Sequence, residues 1–259
     1  QASQQQTKVQ QSPVIDVKQN RFGSFHYTYK KKSQENIYDF RLMTGNRQIF
    51  ADESYLQIPQ LRVFKNVPSP SCQSAITSIY SGGAHCCTTA IILTICGAQE
   101  KAFSVDLSSS GVEQLQLLDL NKDGNPQISI LDFSFAYYSA TDNLSLSFAS
   151  SPIPRRLLIF DGTKWTPDKR GMFPQFYAAM LQKVENDMKK LRKGSDYEQE
   201  YVAYAIMRTF YSIMAGRPEN ECQNILTNDL PRSWKGVRGK IYSDIKTSIT
   251  AYDPVKVLE

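Results

Sequence analysis

Histidine is almost missing from this chain: His26 and His85 are the only two imidazoles in 259 residues. That leaves little material for a nucleophile–base–acid triad, and no Gly-x-Ser-x-Gly or His-Glu-x-x-His pattern is present. Long apolar runs are also lacking. The longest, at 89–95, has the length of a strand and not of a membrane span. A net charge of +5 is small, and its basic residues alternate with acidic ones, as in Asp187 among the lysines of 183–193. Such a dispersed charge excludes nucleic acid as the expected partner.

Five cysteines are present: Cys72, Cys86, Cys87, Cys96 and Cys222. Their spacing fits no zinc signature, so an oxidising compartment, secreted or periplasmic, is expected. The odd total leaves one sulfur over. Residues 73–80 and 88–95 read as the two arms of a hairpin across 81–85, which brings Cys72 beside Cys96 at the open end. Cys87 and Cys96 cannot pair, since an extended strand between them spans roughly 30 Å at about 3.3 Å per residue. A Cys72–Cys96 bridge is therefore predicted. Cys222 then pairs with Cys86 or Cys87, or else the vicinal pair closes on itself. His85-Cys86 is not read as an activated nucleophile, because neighbours on a strand point to opposite faces.

Residues 1–13, rich in Gln and Ser, read as a disordered lead-in. The start at Gln1 fits a mature chain whose signal peptide has been removed, and Leu258-Glu259 reads as a scar outside the fold. Residues 14–170 read as strands. Aromatic and β-branched residues fill 25–29, and 37–42 alternates apolar with polar. Thr44-Gly45-Asn46 signals a turn, and 90–95 has the nearly continuous apolar character of a strand buried on both faces. Asp161-Gly162 suits a type I′ turn between 157–160 and 163–165. A weak repeat lays 61–76 over 115–130, matching Gln73 to Gln127.

From Pro174 the period becomes helical. Tyr177, Met180, Leu181, Val184, Met188 and Leu191 share one face. Ser195-Asp196-Tyr197-Glu198 reads as a capping box for the next helix, which stops near Gly216. A short helix is expected at 222–226, and a last one carries Trp234, Ile241, Ile245 and Ile249. The fold expected is α+β: an antiparallel β domain of blade-like or sandwich-like repeats, followed by a helical region over 171–257 packed on it.

One loop carries chemistry. Asp119, Asn121, Asp123, Asn125 and Gln127 space oxygen ligands at every second residue, with Gly124 at the sharp turn, as a Ca²⁺ ion requires. Ile130 stands where an EF-hand needs a bidentate glutamate, so a hairpin loop is expected instead. The same residues form an empty turn if the Asp and Asn side chains cap their own backbone. The stretch Asp-Leu-Asn-Lys-Asp-Gly-Asn-Pro-Gln-Ile resembles the loop of FG-GAP and VCBS repeats, found in integrin-like propellers and exported bacterial proteins. The segment 79–87 is similar to one that accompanies such loops. The resemblance implies Asp119, Asn121 and Asp123 as Ca²⁺ ligands, with Asn125 giving its carbonyl. Gln127 departs from the usual Asp there.

The function expected is a non-catalytic binding or interaction module with a protein or glycan partner. The competing reading is a secreted hydrolase using carboxylates such as Asp132 or Asp161 between sheet and helices. Phe133, Phe135, Tyr137 and Tyr138 read as sheet core.

Overall fold

The computed structural model describes residues 15–16, 21–31, 36–56, 59, 61–83, 86–191 and 197–259. The lead-in, His85 and Ser195 lie outside these residues. The strands in chain order are β1 (Ile15–Asp16), β2 (Arg21–Phe22), β3 (Phe25–Lys31), β4 (Ile37–Thr44), β5 (Arg47–Tyr55), β6 (Arg62–Lys65), β7 (Cys72–Tyr80), β8 (Thr88–Cys96) and β9 (Gln99–Ser108). They continue as β10 (Gln116–Leu118), β11 (Gln127–Leu131), β12 (Ser139–Thr141), β13 (Leu144–Ser145), β14 (Arg155–Phe160), β15 (Trp165–Pro167) and β16 (Val255–Leu258). Four helices follow β15: α1 (Pro174–Lys190), α2 (Glu198–Met214), α3 (Glu219–Asp229) and α4 (Arg238–Ala251). The protein is α+β, with antiparallel sheets and a C-terminal helical region.

Contacts divide the chain into two units. The first holds 1–130, 157–166 and 254–259, and the second holds 131–156 and 167–253.

In the first unit, six strands run in the order β1-β6-β7-β8-β9-β16, and a second sheet runs β2-β3-β4-β5. Phe22, Phe25, Tyr27, Phe40 and Leu42 from the second sheet share a core with Ala75, Ile79, Ile91, Leu93 and Ala102 from the first and with Leu61 just before β6. The period-2 pattern of β4 explains this: Phe40 and Leu42 are sealed while Arg41 between them is exposed. The nearly continuous apolar run of β8 has a different cause. Ala90, Ile91, Ile92 and Leu93 are all fully buried, since this strand is central and covered on both faces. On the face away from the shared core, Trp165 donates its indole N–H to Thr94 at 3.4 Å. Phe160 packs edge-on to both Phe103 and Trp165.

Two expectations shift here. The turn after β14 is displaced by one residue: Asp161 N–H donates to the Lys164 carbonyl, so Gly162-Thr163 are the central pair. Positive φ occurs at Gly162 and not at Thr163, the requirement of type II′ rather than I′. Leu258 lies within the fold, because β16 pairs it with Ala102 of β9. Its alternation over four residues is too short, and too polar at Lys256, to read as a strand from sequence.

Both copies of the weak repeat are antiparallel hairpins, β6–β7 and β10–β11, but they lie in different sheets. Their turns touch. A Cβ on Gly124 would lie 3.1 Å from Pro70 Cγ, and these two residues are aligned positions of the copies.

In the second unit, α2 is buried nearly all round, from Val202 through Met214, as a central helix must be. Pro174 opens α1 at its first turn, and Tyr177, Leu181 and Val184 form its inner face. The expected capping box rests on Ser195, outside the described residues. Tyr197 precedes α2 without a side-chain cap, and Glu198 accepts from the Ser233 hydroxyl. A 3₁₀ segment at Arg232–Val237 buries Trp234 before α4 begins, where Gly236 and Gly239 weaken an α-helix start. Arg208 of α2 joins Glu185 of α1 and Asp229 of α3, both at 2.8 Å.

Candidate functional site: the disulfide end of the β7–β8 hairpin

Cys72 and Cys96 face each other directly in the β7–β8 register and are joined by a disulfide, with Cα atoms 4.4 Å apart. Cys86 and Cys87 close on each other at the opposite end of the hairpin. The alternative of a link to Cys222 is therefore not realised: Cys222 is a buried free thiol on α3, its pKa raised by burial.

Three turns border the Cys72–Cys96 end: 66–71 between β6 and β7, 119–126 between β10 and β11, and 161–164 between β14 and β15. A cleft of about 340 Å³ lies among them. Ile159, Phe160 and the disulfide form its apolar part, while Ser69, Ser71 and Asn125 supply polar groups. None of its lining residues is charged.

The 119–126 loop holds its shape through its own side chains. Asp119 is the organiser: its Oδ1 accepts from the Asp123 N–H and its Oδ2 from the Gly124 N–H, both at 3.1 Å. Asp123 Oδ1 accepts from the Asn125 N–H at 2.9 Å. Lys122 and Gly124 adopt positive φ, +56° and +78°. Asp119, Asp123 and the Asn125 carbonyl thus belong to one bend, while the Asn121 side chain is exposed. Gln127 differs from the role its spacing suggests. Its Nε2 donates to the Asn125 carbonyl at 2.5 Å and its Oε1 accepts from the Leu120 N–H at 3.1 Å, so its amide braces the bend. Among the described residues no group of three His, Cys, Asp or Glu side chains converges.

Asp161 and Asp132 fall in different units. The exposed Asp161 carboxylate caps its turn, accepting from the Thr163 hydroxyl, the Thr163 N–H and the Lys164 N–H. These bonds, led by the Thr163 hydroxyl, lower its pKa. Asp132 is fully buried, and desolvation raises its pKa against the Ser134 and Arg156 bonds that favour the anion. Arg156 Nη1 stands 3.5 Å from Asp132 Oδ2 and its Nε 3.8 Å from Asp168 Oδ1. Its other donors reach the Ser248, Ile249 and Asp168 carbonyls. Tyr177 completes the cluster by donating to Asp168 at 2.8 Å. This is a buried ionic lock joining distant stretches of the second unit, and spacing alone gave no sign of it.

The aromatic cluster divides. Phe135 and Tyr138 are buried, but Tyr137 is 58% exposed and the segment forms turns, not sheet. Tyr138 turns its hydroxyl to Asp244 at 2.8 Å. His26 lies beside Arg21 on the exposed face of β3, far in character from a catalytic base.

Compared with protein-family models, with curated proteins and with solved structures, the chain matches none.

Proposed function

We propose that this chain is an exported, non-catalytic binding module that presents the cleft at the Cys72–Cys96 end to a neutral ligand, a glycan chain in the first instance. The observation that carries the reading is the cleft itself: three turns around a floor fixed by a disulfide, with hydroxyl and amide groups on the rim and no charge in the lining. Apolar surface with a few oriented polar groups is the usual composition of a site for uncharged ligands. Titration of the ¹⁵N-labelled protein with neutral oligosaccharides is the test. Shifts confined to the three turns, and lost in Asn125→Ala and Ser71→Tyr, support it. Shifts elsewhere, or none across the panel, remove it.

The resemblance to FG-GAP and VCBS loops extends the proposal to a Ca²⁺ ion in the 119–126 bend. Asp119, Asp123 and the Asn125 carbonyl fit such an ion, and Asn121 would join them. Gln127, like them, is engaged in the bend's own hydrogen bonds and would have to release its Leu120 N–H partner to join the set. When bound, the ion neutralises two carboxylates and stiffens the rim. Two carboxylates make a weak cage. A melting temperature raised by millimolar Ca²⁺, reversed by chelator and lost in Asp123→Ala supports the ion. An unchanged melt removes the ion and leaves the module reading standing.

A further inference from the structure

Adjacent cysteines in one disulfide are an unusual economy of chain. Consecutive Cα atoms across a trans peptide are fixed near 3.8 Å, whereas disulfides ordinarily span Cα separations of about 4.4–6.8 Å. Cys86 and Cys87 stand 3.7 Å apart, below that span, while Cys72 and Cys96 stand at 4.4 Å, within it. A bridge forced below its normal span is the more easily reduced of two.

The surroundings make this pair a built feature of the hairpin tip. Cys87 holds φ +85°, a conformation that side-chain-bearing residues seldom adopt. Its carbonyl accepts from the Ser81 N–H at 2.8 Å and from the Ser81 hydroxyl at 3.2 Å. Gly83, at φ +119°, lies so close that a Cβ there would meet the Cys86 sulfur at 3.0 Å and the Cys87 sulfur at 3.3 Å. Tyr80 donates its hydroxyl to the Gly83 carbonyl at 2.6 Å, and Gly82 rests on the Tyr55 ring. The ring thus fixes the Cys87 backbone, and the Cys87 carbonyl fixes Ser81. Cys86 is exposed, whereas Cys72 is buried and Cys96 half-buried.

We propose that Cys86–Cys87 is a thiol–disulfide exchange site whose oxidised and reduced forms make and break the Cys87–Ser81 contact, the co-reactant being a dithiol. A dithiol thiolate attacks Cys86 Sγ, forming a mixed disulfide and releasing Cys87 as a thiolate that takes up a proton. The second thiol then loses its proton and attacks the reductant's own sulfur, releasing Cys86 as a thiolate that is protonated in turn. The dithiol leaves as a disulfide, having given two electrons and two protons. A monothiol stalls at the first stage, because the adjacent Cys87 expels it by closing the ring again. With the ring open, Cys87 relaxes from positive φ and its carbonyl leaves Ser81.

The test is graded reduction of the intact, folded protein with dithiothreitol, followed by alkylation, peptide mass mapping and amide exchange. Cys86 and Cys87 are expected to label at a dithiol concentration at least roughly tenfold below that needed for Cys72 and Cys96. The Ser81 amide is expected to exchange faster once they are reduced, and in the Cys86→Ser/Cys87→Ser double variant without reductant. Co-reduction of both pairs, or prior reduction of Cys72–Cys96, overturns the exchange site. Unchanged Ser81 exchange in the selectively reduced protein overturns the switch. Neither result bears on the ligand cleft at the other end of the hairpin.

Discussion

Gly124 and Asp119 act on the same bend in different ways. Gly124 sits at φ +78° with only 3.1 Å between its would-be Cβ and Pro70, so Gly124→Ala brings both a strained backbone and a contact that Pro70 must relieve. A loss of about 1–2 kcal/mol is expected in chemical denaturation. Asp119→Ala removes the acceptor of two backbone N–H groups and should lower stability by roughly 1–2 kcal/mol even in chelator. Were the loss to vanish in chelator, Asp119 would act through a bound cation and not as a cap. Asp132 has the opposite dependence to that of most carboxylates. Burial raises its folded-state pKa, so on leaving acid the unfolded chain releases this proton first and stability falls as pH rises through the folded value. Asp132→Asn cannot lose that proton. Its melting temperature relative to the parent should therefore climb over the range that starts at the ordinary carboxylate value of 3.8 and ends above the folded one. A constant difference over that range would show that the carboxylate keeps its ordinary affinity for protons inside the lock.

At the scale of elements, the β7–β8 hairpin shows how far residue pattern reaches. Its arms, and the facing of Cys72 with Cys96, follow from two apolar runs of equal length about a Gly-Gly turn, because pairing outward from the turn fixes the register. Removing that bridge with Cys72→Ala/Cys96→Ala should cost about 3 kcal/mol, as expected for closing a 24-residue separation. The choice left to Cys222 was not legible. Whether a vicinal pair closes on itself or reaches a third sulfur depends on tertiary distance, which adjacency does not encode. The oxygen spacing of the 119–126 loop was legible too, yet the bracing bonds of Gln127 were not. Side-chain amides can brace a bend as readily as they coordinate an ion, and spacing does not separate the two. Nor did periodicity reveal Arg208, whose guanidinium fastens three helices at once. Arg208→Ala should lower helical-unit stability by roughly 1–3 kcal/mol, with high salt narrowing the difference.

For the whole molecule, the chain order and the contact order differ. Residues 131–156 belong with the helices, although a strand-rich reading assigned them to the β region, and 254–259 return to β9 after four helices. Deleting 254–259 leaves β9 as an open edge and should destabilise the first unit by roughly 2–4 kcal/mol, with greater aggregation. Both disulfides lie on one hairpin, one beside the cleft and one at the opposite end, and the helices carry no bridge. Peptide mass mapping of the unreduced protein, blocked at low pH, tests this directly. The expected products are a Cys72–Cys96 cross-linked pair, a single peptide two hydrogens lighter containing Cys86 and Cys87, and Cys222 as an alkylatable thiol once the chain is unfolded. A peptide joining Cys222 to Cys86 or Cys87, or Cys72 and Cys96 recovered as thiols, would contradict it.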